Sequence, residues 1–234
     1  MGRRSYNRRM QGENVQFGCG TCAPDSWLNF DAGPAFLLEK RLPFMKAMLV
    51  RKGFPDYPVN IHYGDVIRGL PVTEGTASRV YCSHVLEHLS LEDCRKTLRN
   101  VCSYLVPGGV FRFVVPDLEF YARRYLDSPE PEAASTFMTD TYLGEQQSVR
   151  GVRSFPKALF GRSQHLWMWD YRNFSTELTA AGFTAIRRAN FGDSGDPAFA
   201  AVESESRWQN CLGIECRRPP QAQQREAGCA CAAQ

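Results

Sequence analysis

Asn14-Val15-Gln16-Phe17-Gly18-Cys19-Gly20 is a short apolar strand that runs straight into a glycine turn. Glycine has no Cβ and takes positive φ at little cost, so Gly18 and Gly20 allow a ligand close to the backbone. Two later segments have the same form. Gly64-Asp65 closes an apolar run from Val59 to Tyr63, and Ser83-His84 closes a run from Arg79 before Val85-Leu86-Glu87-His88. Strand ends that turn at small or acidic residues describe a slot at the carboxyl edge of an open α/β sheet, where the strand order reverses.

The rest of the chain supplies the other elements of such a sheet. Trp27-Leu28-Asn29-Phe30-Asp31 alternates apolar and polar side chains, as a second strand does. Leu37, Leu38, Leu42, Met45 and Leu49 recur at helical spacing over residues 34–50, a helix that Pro43 must kink or divide. Ser90 opens the best-defined helix, with Asp93 in a capping-box position, and Leu91, Cys94, Leu98, Val101 and Leu105 form its apolar face. Pro107-Gly108-Gly109 is expected to stop it. Phe111 to Val115, broken only by Arg112, then reads as a strand buried on both faces. A helix from about Tyr171 to Ala181 closes at Gly182, a strand starts at Phe183, and Cys211 to Cys216 is the last strand. Alternating strands and helices predict a mostly parallel sheet.

Composition bounds the answer further. The 234 residues are enough for one well-buried core, with 43% hydrophobic and 23% charged residues and a net charge of only +3. Arg3, Arg4, Arg8 and Arg9 cluster in a segment that reads as a solvated tail rather than a nucleic-acid arm. No apolar run approaches the ~18 residues that span a bilayer, and none at the start resembles a signal peptide. A cytoplasmic protein with neither membrane nor nucleic-acid partners is expected, as monomer or homodimer. The nine cysteines read as reduced thiols. Cys82 falls in a strand, Cys94 and Cys102 on a helix, and Cys211 and Cys216 in the last strand, where free cysteine packs as a small hydrophobe. Cys19-x-x-Cys22 lacks the second pair that a metal site needs.

Gly18-Cys19-Gly20-Thr21-Cys22-Ala23 also matches the G-x-G-x-x-A dinucleotide fingerprint, with Glu39 near the distance of its ribose acid. That fingerprint requires a helix directly after the glycines, and here Pro24 and the Trp27–Asp31 strand intervene. Nicotinamide chemistry is therefore the weaker reading.

Together, Gly18-Cys19-Gly20, Trp27-x-Asn29-x-Asp31, Gly64-Asp65, His84-Val85-Leu86-Glu87-His88, Pro107-Gly108-Gly109 and Val115-Pro116-Asp117 resemble the class I S-adenosylmethionine (SAM)-dependent methyltransferases, in particular small type 11-like members. The resemblance runs from about Val15 to Cys216. It implies a Rossmann-like seven-stranded sheet with helices on both faces and a late antiparallel strand. The implied plan is a flexible basic segment over 1–13, a methyltransferase domain over 14–218 and a low-complexity tail over 219–234. Residues 128–169, rich in aromatics, would cover the acceptor.

The resemblance implies SAM as cofactor, held by Phe17, Gly18, Cys19, Gly20, Asp31, Gly64, Asp65, Val66, Ser83 and His84. Asp31 would take the ribose hydroxyls and Asp65 the adenine amino group, since a carboxylate suits groups that donate. Only residues 21–30 separate Gly20 from Asp31, so the usual first helix must be shortened or lost. His84, His165 and Asp117 are the candidates for acting on the acceptor, with neutral histidine the natural base near pH 7. His84-x-x-Glu87-His88 has the form of a metal motif found in some relatives, but with imidazole where magnesium would prefer oxygen, so no metal is expected. The implied reaction is methyl transfer to a small molecule or glycan. The alternative is a non-catalytic module that keeps the fold, suggested by the lost helix and by Arg79 near the fourth strand.

Overall fold

The computed structural model describes residues 10–51, 53–144 and 164–220. Most of the basic segment, the middle of the aromatic segment and nearly all of the tail therefore lie outside the described residues. Strands β1 (Asn14–Phe17), β2 (Leu28–Asp31), β3 (Ile61–Tyr63), β4 (Ala77–Ser83), β5 (Leu105–Pro116), β6 (Thr184–Ala189) and β7 (Cys211–Arg217) form one sheet. Its order is β3-β2-β1-β4-β5-β7-β6. Strands β1 to β5 pair in parallel, and β7 enters antiparallel between β5 and β6. The order reverses between β1 and β4, which is where the crevice of such a sheet opens.

The pleat sorts the side chains. Val15, Phe17, Phe30, Val80, Cys82, Phe111, Phe113 and Val115 face helices α3 (Leu91–Tyr104) and α6 (Tyr171–Ala180) in the main core. Tyr81, Val110 and Val114 face the other way and pack with Trp27, Phe199, Val202 and Trp208. On that side, Phe36 of α1 (Pro34–Arg41) packs with Tyr57 and Ile61.

No helix joins β1 to β2. The connection is instead tied flat to the sheet by two buried amides. Gln16 Nε2 donates to the Cys22 carbonyl at 2.7 Å, and Asn29 Nδ2 donates to the Pro24 carbonyl at 3.1 Å. Gln16 also donates to Asn29 Oδ1. Trp27 then meets Phe199, with ring centroids 5.7 Å apart. Cover for this face comes from the 3₁₀ turns Pro197–Ala201 and Glu205–Arg207 near the other end of the chain.

Arg112 is fully buried on the same face. Its Nη1 lies 2.9 Å from Asp193 and 3.1 Å from Glu215, its Nε pairs with Glu203, and its Nη2 donates to the Asn190 carbonyl at 2.6 Å. The guanidinium stacks over Trp208 at 4.7 Å. A buried charge survives in a sheet only when it is paired in this way. Arg79, at the opposite end of β4 from the crevice, pairs with Asp196 and Asn14 and is a structural residue.

Several expectations are corrected. Helix α3 ends at Tyr104 and β5 begins at Leu105, so Pro107-Gly108-Gly109 lies within the strand and does not stop the helix. Met10, within the 1–13 segment, forms a parallel bridge with Val72. Val59 is 91% exposed and β3 starts at Ile61. Pro43 divides the 34–50 helix as expected, into α1 and α2 (Lys46–Arg51), but α1 buries Phe36 and Glu39 rather than its leucines. The beginning of the 128–169 segment is helical. Helix α5 (Ala133–Asp140) packs on α4 (Leu118–Leu126) through Arg124–Asp140 at 2.7 Å and the Tyr125 and Phe137 rings. Among the described residues, the cysteines are free thiols, and no helix is long and apolar enough to cross a membrane.

Candidate active site

A cleft of about 370 Å³ opens at the carboxyl ends of β1 to β4. Of the residues expected to hold a cofactor, Phe17, Gly18, Gly20, Asp31, Gly64, Asp65, Val66 and His84 line it. Gly18 has φ +62°, and a Cβ there would fall 2.2 Å from Val85 Cγ2. Gly20 has φ +55° with open space around it. Asp31, at the end of β2, holds the turn together. Its Oδ2 accepts from the Gly20 amide at 2.9 Å and its Oδ1 from the Gly33 amide at 2.6 Å. Each carboxylate oxygen keeps a second lone pair for a ligand. Asp65 Oδ1 accepts from the Ile67 amide at 3.0 Å and shapes the turn after β3.

Two expected residues do not line the cleft. Cys19 packs with Phe36, Tyr57 and Ile61, and burial, helped by Asp31, pushes its thiol up to about 12. Ser83 Oγ accepts from Arg207 Nη1 at 3.3 Å.

His84 has φ +54°, a left-handed conformation uncommon for a residue with a side chain. Its Nδ1 lies 3.2 Å from Glu87 Oε1 and its Nε2 lies 2.9 Å from the Arg207 carbonyl. Both neighbours are acceptors, so both ring nitrogens carry protons. Burial opposes that charge, but Cys211, Glu87 and the Arg207 carbonyl outweigh it and push the ring up to about 10.

Past His84, the 3₁₀ turn Leu86–His88 meets the segment before α6. The Glu87 carbonyl accepts from the Leu166 amide at 2.8 Å and the Trp167 amide at 3.1 Å. This brings His165 edge-on to the His88 ring, with centroids 5.0 Å apart, and the Tyr142 ring lies 5.2 Å from His165. Burial lowers the basicity of His165. His88 lines the cleft; His165 does not, and packs against His88. Asp117 is also not among the cleft walls. It caps α4, accepting from the Glu119 amide at 2.9 Å, and faces Arg188 at 3.4 Å. Tyr57, Val85, His88 and Leu89 line the cleft without having been assigned to it from sequence. Val85 and Leu89 flank the strand-to-helix junction, so proximity along the chain was their signal; Tyr57, in a proline-bounded loop, carried none.

The walls fit an adenosine. Two acids at successive strand ends can each face a donor group, and the glycine turn leaves room for a chain beneath it. A family model described as a methyltransferase domain matches residues 51–187, and the chain belongs to that family. By family it carries a methyltransferase domain, on the Rossmann-like sheet order of the class I fold. The finer type 11 grouping is not the one that matches.

Among solved structures, the chain is similar to the CurJ carbon methyltransferase, with 14% identity, a TM-score of 0.45, and coverage of 89% of this chain and 49% of that one. It is also similar to PigF solved with S-adenosylhomocysteine (14%, TM-score 0.43, 89% and 50%). A third is the Haemonchus contortus phosphoethanolamine N-methyltransferase 2 in complex with S-adenosyl-L-methionine (10%, TM-score 0.44, 91% and 50%). The chain spans about half the length of each. No curated protein matches it.

Proposed function

We propose that this chain transfers a methyl group from SAM to a small-molecule or glycan acceptor, with the donor in the cleft at the ends of β1 to β4. The observation that carries the reading is Asp31, which braces the glycine turn through two amides while facing the cleft. Bound SAM supplies a methyl group already activated by its sulfonium. The chain's work is to hold the two substrates in line. Gly18 and Gly20 keep the turn clear of side chains, Asp31 takes the ribose hydroxyls, and Asp65 takes the adenine amino group.

The acceptor lies on the His88 side. Tyr142 and Trp167, 54% and 38% exposed beside His165, offer faces for stacking on a ring or sugar. Of the three groups first considered for the acceptor's proton, Asp117 is committed to its cap and Arg188, and His84 has no free nitrogen. His165 keeps Nδ1 unbonded, but its ring lies beside His88 and outside the cleft walls.

Calorimetric titration with SAM and with S-adenosylhomocysteine tests the reading. Binding of both, weakened roughly tenfold or more in Asp31→Ala, supports it. A folded protein that binds neither would instead be a non-catalytic module of the same fold.

A further inference from the structure

Glu87, His88 and His165 each bring one ligand atom into a group whose members lie within 4.8 Å of one another. Two of the three side chains carry buried polar atoms with no hydrogen-bond partner, Glu87 Oε2 and His165 Nδ1. The Glu87 side chain is 0% exposed and His165 only 7%. A buried carboxylate oxygen without a donor is costly unless a positive charge meets it.

Each of the three is also held from behind. Glu87 Oε1 accepts from His84 Nδ1 at 3.2 Å, which leaves Oε2 free. His88 Nδ1 donates to the Gln164 carbonyl at 3.2 Å, which leaves the lone pair on its Nε2. His165 has a backbone hydrogen bond with Thr141, while its Nδ1 is unbonded. One nitrogen donating to a carbonyl and the other bare is the state of a metal-ligating imidazole, and an outer partner for every ligand is what orients such a site.

We propose that Glu87, His88 and His165 bind a divalent transition cation of the zinc type beside the methyl-donor cleft. Two imidazoles and one carboxylate favour such an ion over magnesium, which prefers oxygen. Three protein ligands leave a position open. The site differs from the motif weighed in the sequence, because His84 serves as Glu87's outer partner and the third ligand arrives from His165. The inference rests on the methyltransferase reading for its chemistry. His88 lines the cleft, so the open position faces the acceptor and takes an acceptor hydroxyl there. The hydroxyl loses its proton to water, its oxygen forms a bond to the methyl carbon, and the carbon–sulfur bond breaks to release the neutral thioether.

The test is titration of chelator-treated protein with Co²⁺, followed by visible d–d absorption, alongside calorimetric SAM binding. One equivalent bound by the wild type, weakened roughly tenfold or more in both Glu87→Gln and His165→Ala while each variant still binds SAM, supports the site. Retained SAM binding shows that the variants are folded, since neither side chain lines the cleft. No cobalt band in a SAM-binding wild type overturns the site, as does equal affinity in the variants. A sulfur charge-transfer band also overturns it, because it would place the ion on cysteine thiolates instead. Failure to bind SAM overturns the donor assignment instead, whatever the cobalt result.

Discussion

The Gly20 amide donates to Asp31 Oδ2 at 2.9 Å, so the turn after β1 and the acid ending β2 behave as one unit. Asp31→Ala should therefore weaken SAM binding and also destabilise the fold, because the Gly20 and Gly33 amides lose their acceptor. The structural part is about 1–3 kcal/mol. Asp31→Asn keeps an acceptor oxygen and should recover part of the stability but little of the binding. Chemical denaturation and calorimetry, run on both variants, separate the two effects.

Gly18→Ala should abolish SAM binding, because its Cβ would fall 2.2 Å from Val85 Cγ2 at a φ of +62°. Val85→Ala in the same chain removes the clash but leaves the backbone strain, about 1–2 kcal/mol. The double variant is thus expected to regain folding stability ahead of the single one, as read by its thermal midpoint. Equal midpoints would show that strain, not contact, sets the cost.

How far these residues were legible beforehand depended on whether their partners were near in sequence. Gly18, Gly20, Asp31, Gly64 and Asp65 sit at strand ends, and strand ends can be read from local alternation. The same alternation located β1, β2 and β4 closely. It could not show that Cys19 turns into a side core, or that Asp117 is a helix cap held by Arg188. His165 was visible as a residue, but its meeting with His88 depends on the Glu87 carbonyl taking two distant amides. Arg112 looked like an interruption because its carboxylates lie beyond β6 or in β7.

Arg112→Leu should cost about 3–5 kcal/mol, since Glu203, Glu215 and Asp193 would lose a shared buried cation. Arg79→Ala breaks a partly exposed pair with Asp196 and should cost about 0.5 kcal/mol. Urea midpoints for the two variants give the comparison. Similar losses would mean that the buried network contributes no more than a surface pair.

Acid should weaken the fold through the same network. Burial alone would raise the Asp193 carboxyl, but Arg187, the Asn190 amide and Arg112 hold it down at about 2, against 3.8 when free. A depressed acid stabilises the folded state above its unfolded value and loses that contribution as pH falls. Thermal midpoints should thus drop between about pH 4 and pH 2. Asp193→Asn should show a shallower slope across that window, and an unchanged slope would assign the acid sensitivity to other carboxylates.

The absent helix between β1 and β2 has a consequence for the order of assembly. Trp27 packs its ring against Phe199, and Tyr81 packs with Phe199 and Trp208 in the same cluster. The first two strands thus cannot close their back face on their own. They must wait for residues 197–208, a non-local contact of the kind that slows folding. Nascent chains halted before Phe199 should expose this apolar face to chaperones, and the cofactor turn would be among the last parts of the molecule to become rigid.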